Sequence, residues 1–334
     1  IFHAKQRTTF YYITERDICM KIARKGRDNE MALSTLFFVN GEKKANLCED
    51  SYAIGAHGDA VLLSVFDGCG GSGAKVYDTY GGHTGAYLAS RIASGVTYDW
   101  FQNEEPQGLL DKYLNDALQS YKRNSKNNSG IRSSMAKDFP TTAAIANCRT
   151  EKSQVTVDYL WCGDSRGFLL TANGLKQITV DDVQRTSDEP DMRSDGIMTS
   201  ICSASKPFHL HEKKICCSDP CVVMTATDGC FGYVESPIHF EILLLDTLRQ
   251  SYCIEDWQEK LFEILKKISA DDYTMCLAGF GYATFDELRA AFEKRHEFLM
   301  KAYLSKWNKS SEEQQRKMWL EYAEDYLSNQ GDVK

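Results

Sequence analysis

Val61-Leu62-Leu63-Ser64-Val65-Phe66-Asp67-Gly68-Cys69-Gly70-Gly71 is an apolar run that ends in a carboxylate and then glycines. Such a run reads as a buried strand that hands its last acidic side chain to a turn. Three further acids arrive in the same way. Cys221-Val222-Val223-Met224-Thr225-Ala226-Thr227 leads into Asp228-Gly229, Asp271-Asp272 opens the run Tyr273 to Phe280, and Asp164 follows Val155 to Gly163. Carboxylates at the ends of buried strands are costly unless they are paired or bound to a metal. Several of them at one sheet edge suggest hard divalent cations such as Mg²⁺ or Mn²⁺, which favour oxygen ligands.

In order and in wording, these segments resemble the metal-dependent Ser/Thr protein phosphatases of the 2C class, the PPM family, in its bacterial form. The matching pieces are Cys48-Glu49-Asp50-Ser51-Tyr52, Val65-Phe66-Asp67-Gly68-x-Gly70-Gly71, Pro140-Thr141-Thr142-Ala143, Cys162-Gly163-Asp164-Ser165-Arg166-Gly167, Thr227-Asp228-Gly229 and Asp271-Asp272-Tyr273-Thr274. They span roughly residues 33 to 280, the size of one such catalytic domain. One Asp-Gly is a weak signal; the whole ordered set is a strong one.

The bulk composition is that of a soluble globular protein. At 334 residues, with 43% hydrophobic and 26% charged residues, the chain can bury a substantial core. It has no apolar run long enough for a bilayer, and Ile1 to Arg7 do not form a secretory leader, so a cytoplasmic protein away from membranes is expected. A net charge of −8 argues against broad nucleic-acid binding. The twelve cysteines contain no C-x-x-C pair and sit mostly in apolar strands, as small buried hydrophobes in a reducing compartment. Cys216-Cys217 with Cys221 is the one cluster, and even with His209 and His211 its spacing matches no common zinc pattern.

Along the chain, residues 1–30 form a polar lead-in. Met31 to Val39 reads as a strand ended by the turn signal Asn40-Gly41, and the next strand carries Glu49 and Asp50. Period-two geometry sends those two to opposite faces, so only one is an inner ligand by strand geometry, with the choice between them open. Helical spacing follows from His83 to Trp100 and from Leu109 to Tyr121. Strands are expected at about 141–148, 155–162 and 167–171, then helices at Ile238 to Leu248 and Trp257 to Ile268. The polar segment Val183 to Ser205 is either a substrate-selecting flap or an exposed loop. The catalytic domain should span 31–282. Beyond it, Thr284-Phe285-Asp286-Glu287 reads as a capping box, and Ser310 or Ser311 with Glu313 starts another helix. This extension, 284–334, either packs on the domain or serves a partner or dimer contact.

From the residues alone the fold class is α+β. The resemblance implies a four-layer α/β/β/α sandwich with two central, mainly antiparallel sheets. It further implies that Asp67 bridges two Mn²⁺ or Mg²⁺ ions. Asp228 and Asp271 belong to one, and the Gly68 carbonyl, with Glu49 or Asp50 largely through water, to the other. Water held between two such ions would be the nucleophile; no Cys-x5-Arg signature supports a phosphocysteine route. Asp164 either joins Asp228 on a third cation or simply forms a turn.

Three departures from the family stand out. Cys69 occupies a position where animal members carry a His proposed to protonate the leaving group, with His83 a stand-in. Ala45 stands where a phosphate-binding Arg is common, and the adjacent Lys44 could donate only as a point charge. Asp272 replaces a common Asn. The expected function is metal-dependent hydrolysis of phosphoserine and phosphothreonine in proteins, opposing a Ser/Thr kinase. The rivals are a catalytically silent binding module and a two-metal enzyme acting on small phosphoesters.

Overall fold

A computed structural model describes residues 31–125, 136–184 and 196–330. The polar lead-in, the loop after Ser125 and the acidic part of the expected flap, Asp188 to Asp195, lie outside the described residues. The strands among these residues are β1 (Leu33–Gly41), β2 (Ser51–His57), β3 (Ala60–Phe66), β4 (Val76–Tyr77), β5 (His83–Thr84), β6 (Ala143–Thr150), β7 (Val155–Cys162), β8 (Arg166–Thr171), β9 (Gly174–Gln177), β10 (His211–Cys217), β11 (Cys221–Ala226) and β12 (Tyr273–Phe280). One five-stranded sheet has the order β1-β12-β11-β8-β9 and the other β10-β7-β6-β3-β2, while β4 and β5 form a small hairpin. The ladders within both sheets are antiparallel.

The apolar runs have no polar face because both faces of each sheet are covered. In β12, Tyr273, Met275 and Leu277 join one core, and Cys276, Ala278 and Phe280 join the next. In β3, Val61, Leu63 and Val65 face the core between the sheets, while Leu62 and Phe66 face the helices outside. This period-two division is what a doubly buried strand requires. Helices Gly85–Gln102 and Leu110–Asn124 cover the β3 sheet, and helices Pro237–Arg249 and Ile254–Ile268 cover the β12 sheet. The result is the four-layer α/β/β/α sandwich.

β1 ends at Gly41, where the turn signal stands, and pairs with β12 in the opposite sheet from β2, with Asn40 Nδ2 donating to Thr274 Oγ1 at 2.8 Å. A long connection between the sheets follows, so Glu49 and Asp50 precede β2 instead of lying in it. At the C-terminal end, Thr284 accepts from the Glu287 N–H at 3.1 Å, but Glu287 reaches one residue further back, to the Ala283 N–H. The last helix, Glu312–Tyr326, is capped reciprocally by Ser311 and Gln314, not Glu313.

The C-terminal helices share the core of the β12 sheet: Trp319, Tyr322 and Tyr326 are buried with Phe240 and Trp257. Glu241, fully buried, accepts from Arg295 Nε at 2.8 Å and Nη2 at 2.9 Å and from the Tyr322 hydroxyl at 2.7 Å. A buried carboxylate with these three donors is satisfied.

Candidate functional site

The acidic strand ends gather at one edge of the two sheets, and hydrogen bonds between the sheets hold them there. β3 ends at Phe66 and delivers Asp67. The Asp67 N–H donates to Thr142 Oγ1 at 3.2 Å, and its carbonyl accepts from the Thr142 N–H and from Thr141 Oγ1, both at 2.8 Å. Thr142 Oγ1 in turn lies 2.6 Å from Ser165 Oγ, tying the Asp164 turn to the same strand ends. Gly68 must be glycine: a Cβ there would stand 2.6 Å from the Ala86 carbonyl oxygen and 2.7 Å from that of Glu49.

Glu49 and Asp50 do point apart. Asp50, only 3% exposed, accepts from Thr227 Oγ1 and Thr274 Oγ1, each at 2.8 Å, and so pins the start of β2 to the ends of β11 and β12. Glu49 accepts from Thr84 Oγ1 at the start of helix Gly85–Gln102 and lies against Gly70. Its backbone is clamped from both sides. Asp272 Oδ2 accepts from the Glu49 N–H at 2.8 Å, and Arg91 Nη2, stacked 3.6 Å over the Tyr87 ring, donates to the Cys48 carbonyl at 2.8 Å.

Burial and mutual repulsion dominate the electrostatics. Asp67 is held well above the ordinary carboxylate range, first by burial and then by the charges of Asp50, Asp228, Asp164 and Asp271. Burial also pushes Asp50 up to about 8, against the donation of Thr227 and Thr274. Asp164 is pushed up to about 7 by burial, with Asp228 and Asp181 adding to it. Asp228 is raised by burial and Asp271, opposed by the Gly229 N–H and Arg166. Arg166 itself is taken by Asp181, with Nε to Oδ1 at 3.0 Å and Nη2 to Oδ2 at 2.7 Å, and lies over the Phe231 ring.

These residues suit a hard divalent cation. The donors are all oxygen, each carboxylate raises its neighbours, and the buried Asp164 Oδ1 has no hydrogen-bond partner. Among the described residues, no three His, Cys, Asp or Glu side chains already close round a point as a finished ligand set. The group as it stands is a set of repelling carboxylates in which a cation would relieve the repulsion.

Asp50, Asp67, Asp164, Asp228 and Asp271 thus act on one another, with Glu49 at the margin beside Asp271 and Asp272. Lys44 is exposed on the connection between β1 and β2. His83 is exposed on the β4–β5 hairpin, its ring stacked 4.1 Å from that of Tyr87. Cys69 is packed beside the site, and burial pushes its thiol far up, so it stays protonated. Sequence reading missed the supporting hydroxyls of Thr84, Thr142, Ser165, Thr227 and Thr274. Four of them lie within the quoted motifs, and two, Ser165 and Thr227, stand directly beside an acid. The exposed Tyr233 follows the Asp228 turn, and its phenol is raised by burial, then by Asp271, Asp228 and Asp67.

Two packed antiparallel sheets between helices, with acidic strand ends at one edge, is the fold of the protein phosphatases of the 2C class. Among solved structures, the serine/threonine phosphatase Stp1 from Staphylococcus aureus matches with a TM-score of 0.53 at 20% identity, over 76% of this chain and 98% of that one. The Mycobacterium tuberculosis serine/threonine phosphatase PstP/Ppp matches with a TM-score of 0.51 at 19% identity, over 74% of this chain and 98% of that one. No protein-family model matches the chain, and no curated protein matches it by sequence.

Proposed function

We propose that this chain is a metal-dependent phosphoserine/phosphothreonine protein phosphatase. The observation that supports this reading above all is the gathering of Asp50, Asp67, Asp164, Asp228 and Asp271 at the sheet edge of a phosphatase fold. Asp67, Asp228 and Asp271, with the Gly68 carbonyl and Glu49 or Asp50, would hold two Mg²⁺ or Mn²⁺ ions, and Asp164 with Asp228 would serve a third. When bound, such ions acidify water and offset phosphoryl charge in in-line displacement.

The remaining contributions come from the chain itself. Thr227 and Thr274 hold the Asp50 carboxylate in place, Asp272 and Arg91 fix the Glu49 backbone, and Thr142 with Ser165 ties Asp67 to the Asp164 turn. The Asp50 carboxylate and the Glu49 and Asp67 backbones are therefore held in place by the chain itself, the kind of pre-organisation that catalysis by charge stabilisation requires. Phosphorylated proteins would be the substrates, with a Ser/Thr kinase as the opposing activity. Among the described residues no helix is long and apolar enough to cross a membrane.

The test is hydrolysis of a phosphothreonine peptide by the purified chain with Mn²⁺, with Mg²⁺ and with a chelator, beside Asp228→Asn. Turnover that needs added metal and disappears in the variant is expected. A folded protein that binds Mn²⁺ yet turns over neither the peptide nor a small phosphoester would instead be a binding module.

A further inference from the structure

The last helix, Glu312–Tyr326, stands well beyond the final acidic motif, Asp271-Asp272-Tyr273-Thr274, yet its end is joined by hydrogen bonds to the acidic edge. Tyr326 Oη donates to Gln177 Oε1 at 3.1 Å, and Gln330, just past the helix, donates from Nε2 to the Thr179 carbonyl at 2.9 Å. Gln177 Nε2 donates in turn to that same carbonyl at 2.9 Å and to Asp181 Oδ1 at 3.1 Å. Asp181 holds Arg166 through both carboxylate oxygens, and Thr179 Oγ1 accepts from the Gly167 N–H at 3.0 Å. Tyr326, Gln177, Thr179 and Arg166 are buried, so water cannot easily stand in for a lost partner.

Arg166 is where this path meets the site. It opens β8 two residues after Asp164, and the residue between them, Ser165, lies 2.6 Å through Oγ from Thr142 Oγ1. Its guanidinium lies 4.2 Å from the centre of the Phe231 ring, and Phe231 closes the turn that Asp228 opens. The guanidinium, fixed by Asp181, thus braces the turns that carry Asp164 and Asp228. Among the described residues Asp164 Oδ1 has no hydrogen-bond partner, so its aim depends on the turn.

We propose that Tyr326 is a positioning residue for the candidate cation site: through Gln177 and Asp181 it fixes Arg166, and Arg166 fixes the spacing between the Asp164 and Asp228 turns. The role rests on the phosphatase reading for the cations at those turns. Positioning of this kind acts on a ligand through the groups that support it, which in metal sites govern affinity as well as orientation. The C-terminal extension is then part of the site, and lifting the last helix would loosen the cations without touching a ligand.

The experiment measures the Mn²⁺ affinity of the full chain by calorimetry, and its thermal midpoint in chelator, for wild type, Tyr326→Phe, Asp181→Asn, the double variant and Tyr322→Phe. Tyr326→Phe keeps the ring that packs 5.9 Å from that of Trp319 and 5.5 Å from that of Tyr322, and removes only the hydroxyl. Loss of that hydrogen bond should weaken Mn²⁺ binding about fivefold. The double variant should bind no more weakly than Asp181→Asn, because Tyr326 acts through Asp181. Tyr322→Phe removes a similarly buried hydroxyl from the same helix, the one given to Glu241, and should lower the thermal midpoint with Mn²⁺ affinity unchanged. Unchanged affinity in Tyr326→Phe, an equal loss in Tyr322→Phe, additive losses in the double variant, or a wild type that binds no Mn²⁺ overturns the proposal. Peptide turnover is measured in parallel. Turnover in wild type with unchanged Mn²⁺ affinity in Tyr326→Phe defeats this inference alone. Mn²⁺ affinity that depends on Tyr326 without any turnover defeats the phosphatase reading alone.

Discussion

Asp67 illustrates how one residue can oppose stability and serve function. It stands among Asp50, Asp164, Asp228 and Asp271, and in metal-free protein their repulsion is uncompensated. Asp67→Asn should therefore raise the thermal midpoint in chelator by about 2 °C or more while abolishing the stabilisation that Mn²⁺ confers on wild type; a midpoint lowered in chelator would contradict this. The same group predicts a pH dependence. Asp164 and Asp50 are pushed up to about 7 and about 8, above their values in the unfolded chain, so the folded metal-free protein binds the extra protons. Their contribution to stability is present at low pH and is lost as pH rises through the folded values. In chelator, the midpoint should fall between about pH 5.5 and about pH 8.5, and Mn²⁺ should flatten that slope. A third residue-scale expectation concerns Thr274→Val, which removes one of the two hydroxyls on a buried carboxylate and should cost about 1–3 kcal/mol in denaturant titration.

At the scale of elements, the site depends on how closely strand ends and turns approach. The turn Asp228–Phe231 is pressed against the start of β12, where a Cβ on Gly229 would stand 1.9 Å from the Asp272 carbonyl oxygen. Gly229→Ala must push Asp228 away from Asp271, with an expected cost of about 1–3 kcal/mol and a weakened Mn²⁺ affinity; unchanged affinity would show that the two need not be so close. The Thr-Asp-Gly wording of this turn was legible in the sequence because only glycine fits such an approach. Asn40-Gly41 marked the end of β1 but not the sheet to which β1 belongs. Turn chemistry is local, whereas the sheet that β1 joins is set by pairing with β12, more than 230 residues away.

For the molecule as a whole, the C-terminal helices also matter as packing. Trp319 is buried in the core that covers the β12 sheet, and Glu241 links helix Pro237–Arg249 to Arg295 and Tyr322. Trp319→Ala should destabilise by about 3–5 kcal/mol in chemical denaturation; a loss below about 1 kcal/mol would mean that the extension is dispensable to the fold. The sequence by itself determined the apolar strands, the helices that cover them and the acids at the strand ends, because burial periodicity and the cost of a buried carboxylate are written in a few adjacent residues. Only the tertiary structure decided that Glu49 turns to Thr84 while Asp50 turns to Thr227 and Thr274. Those relations join residues distant in the chain, and they exist only once two sheets are packed face to face.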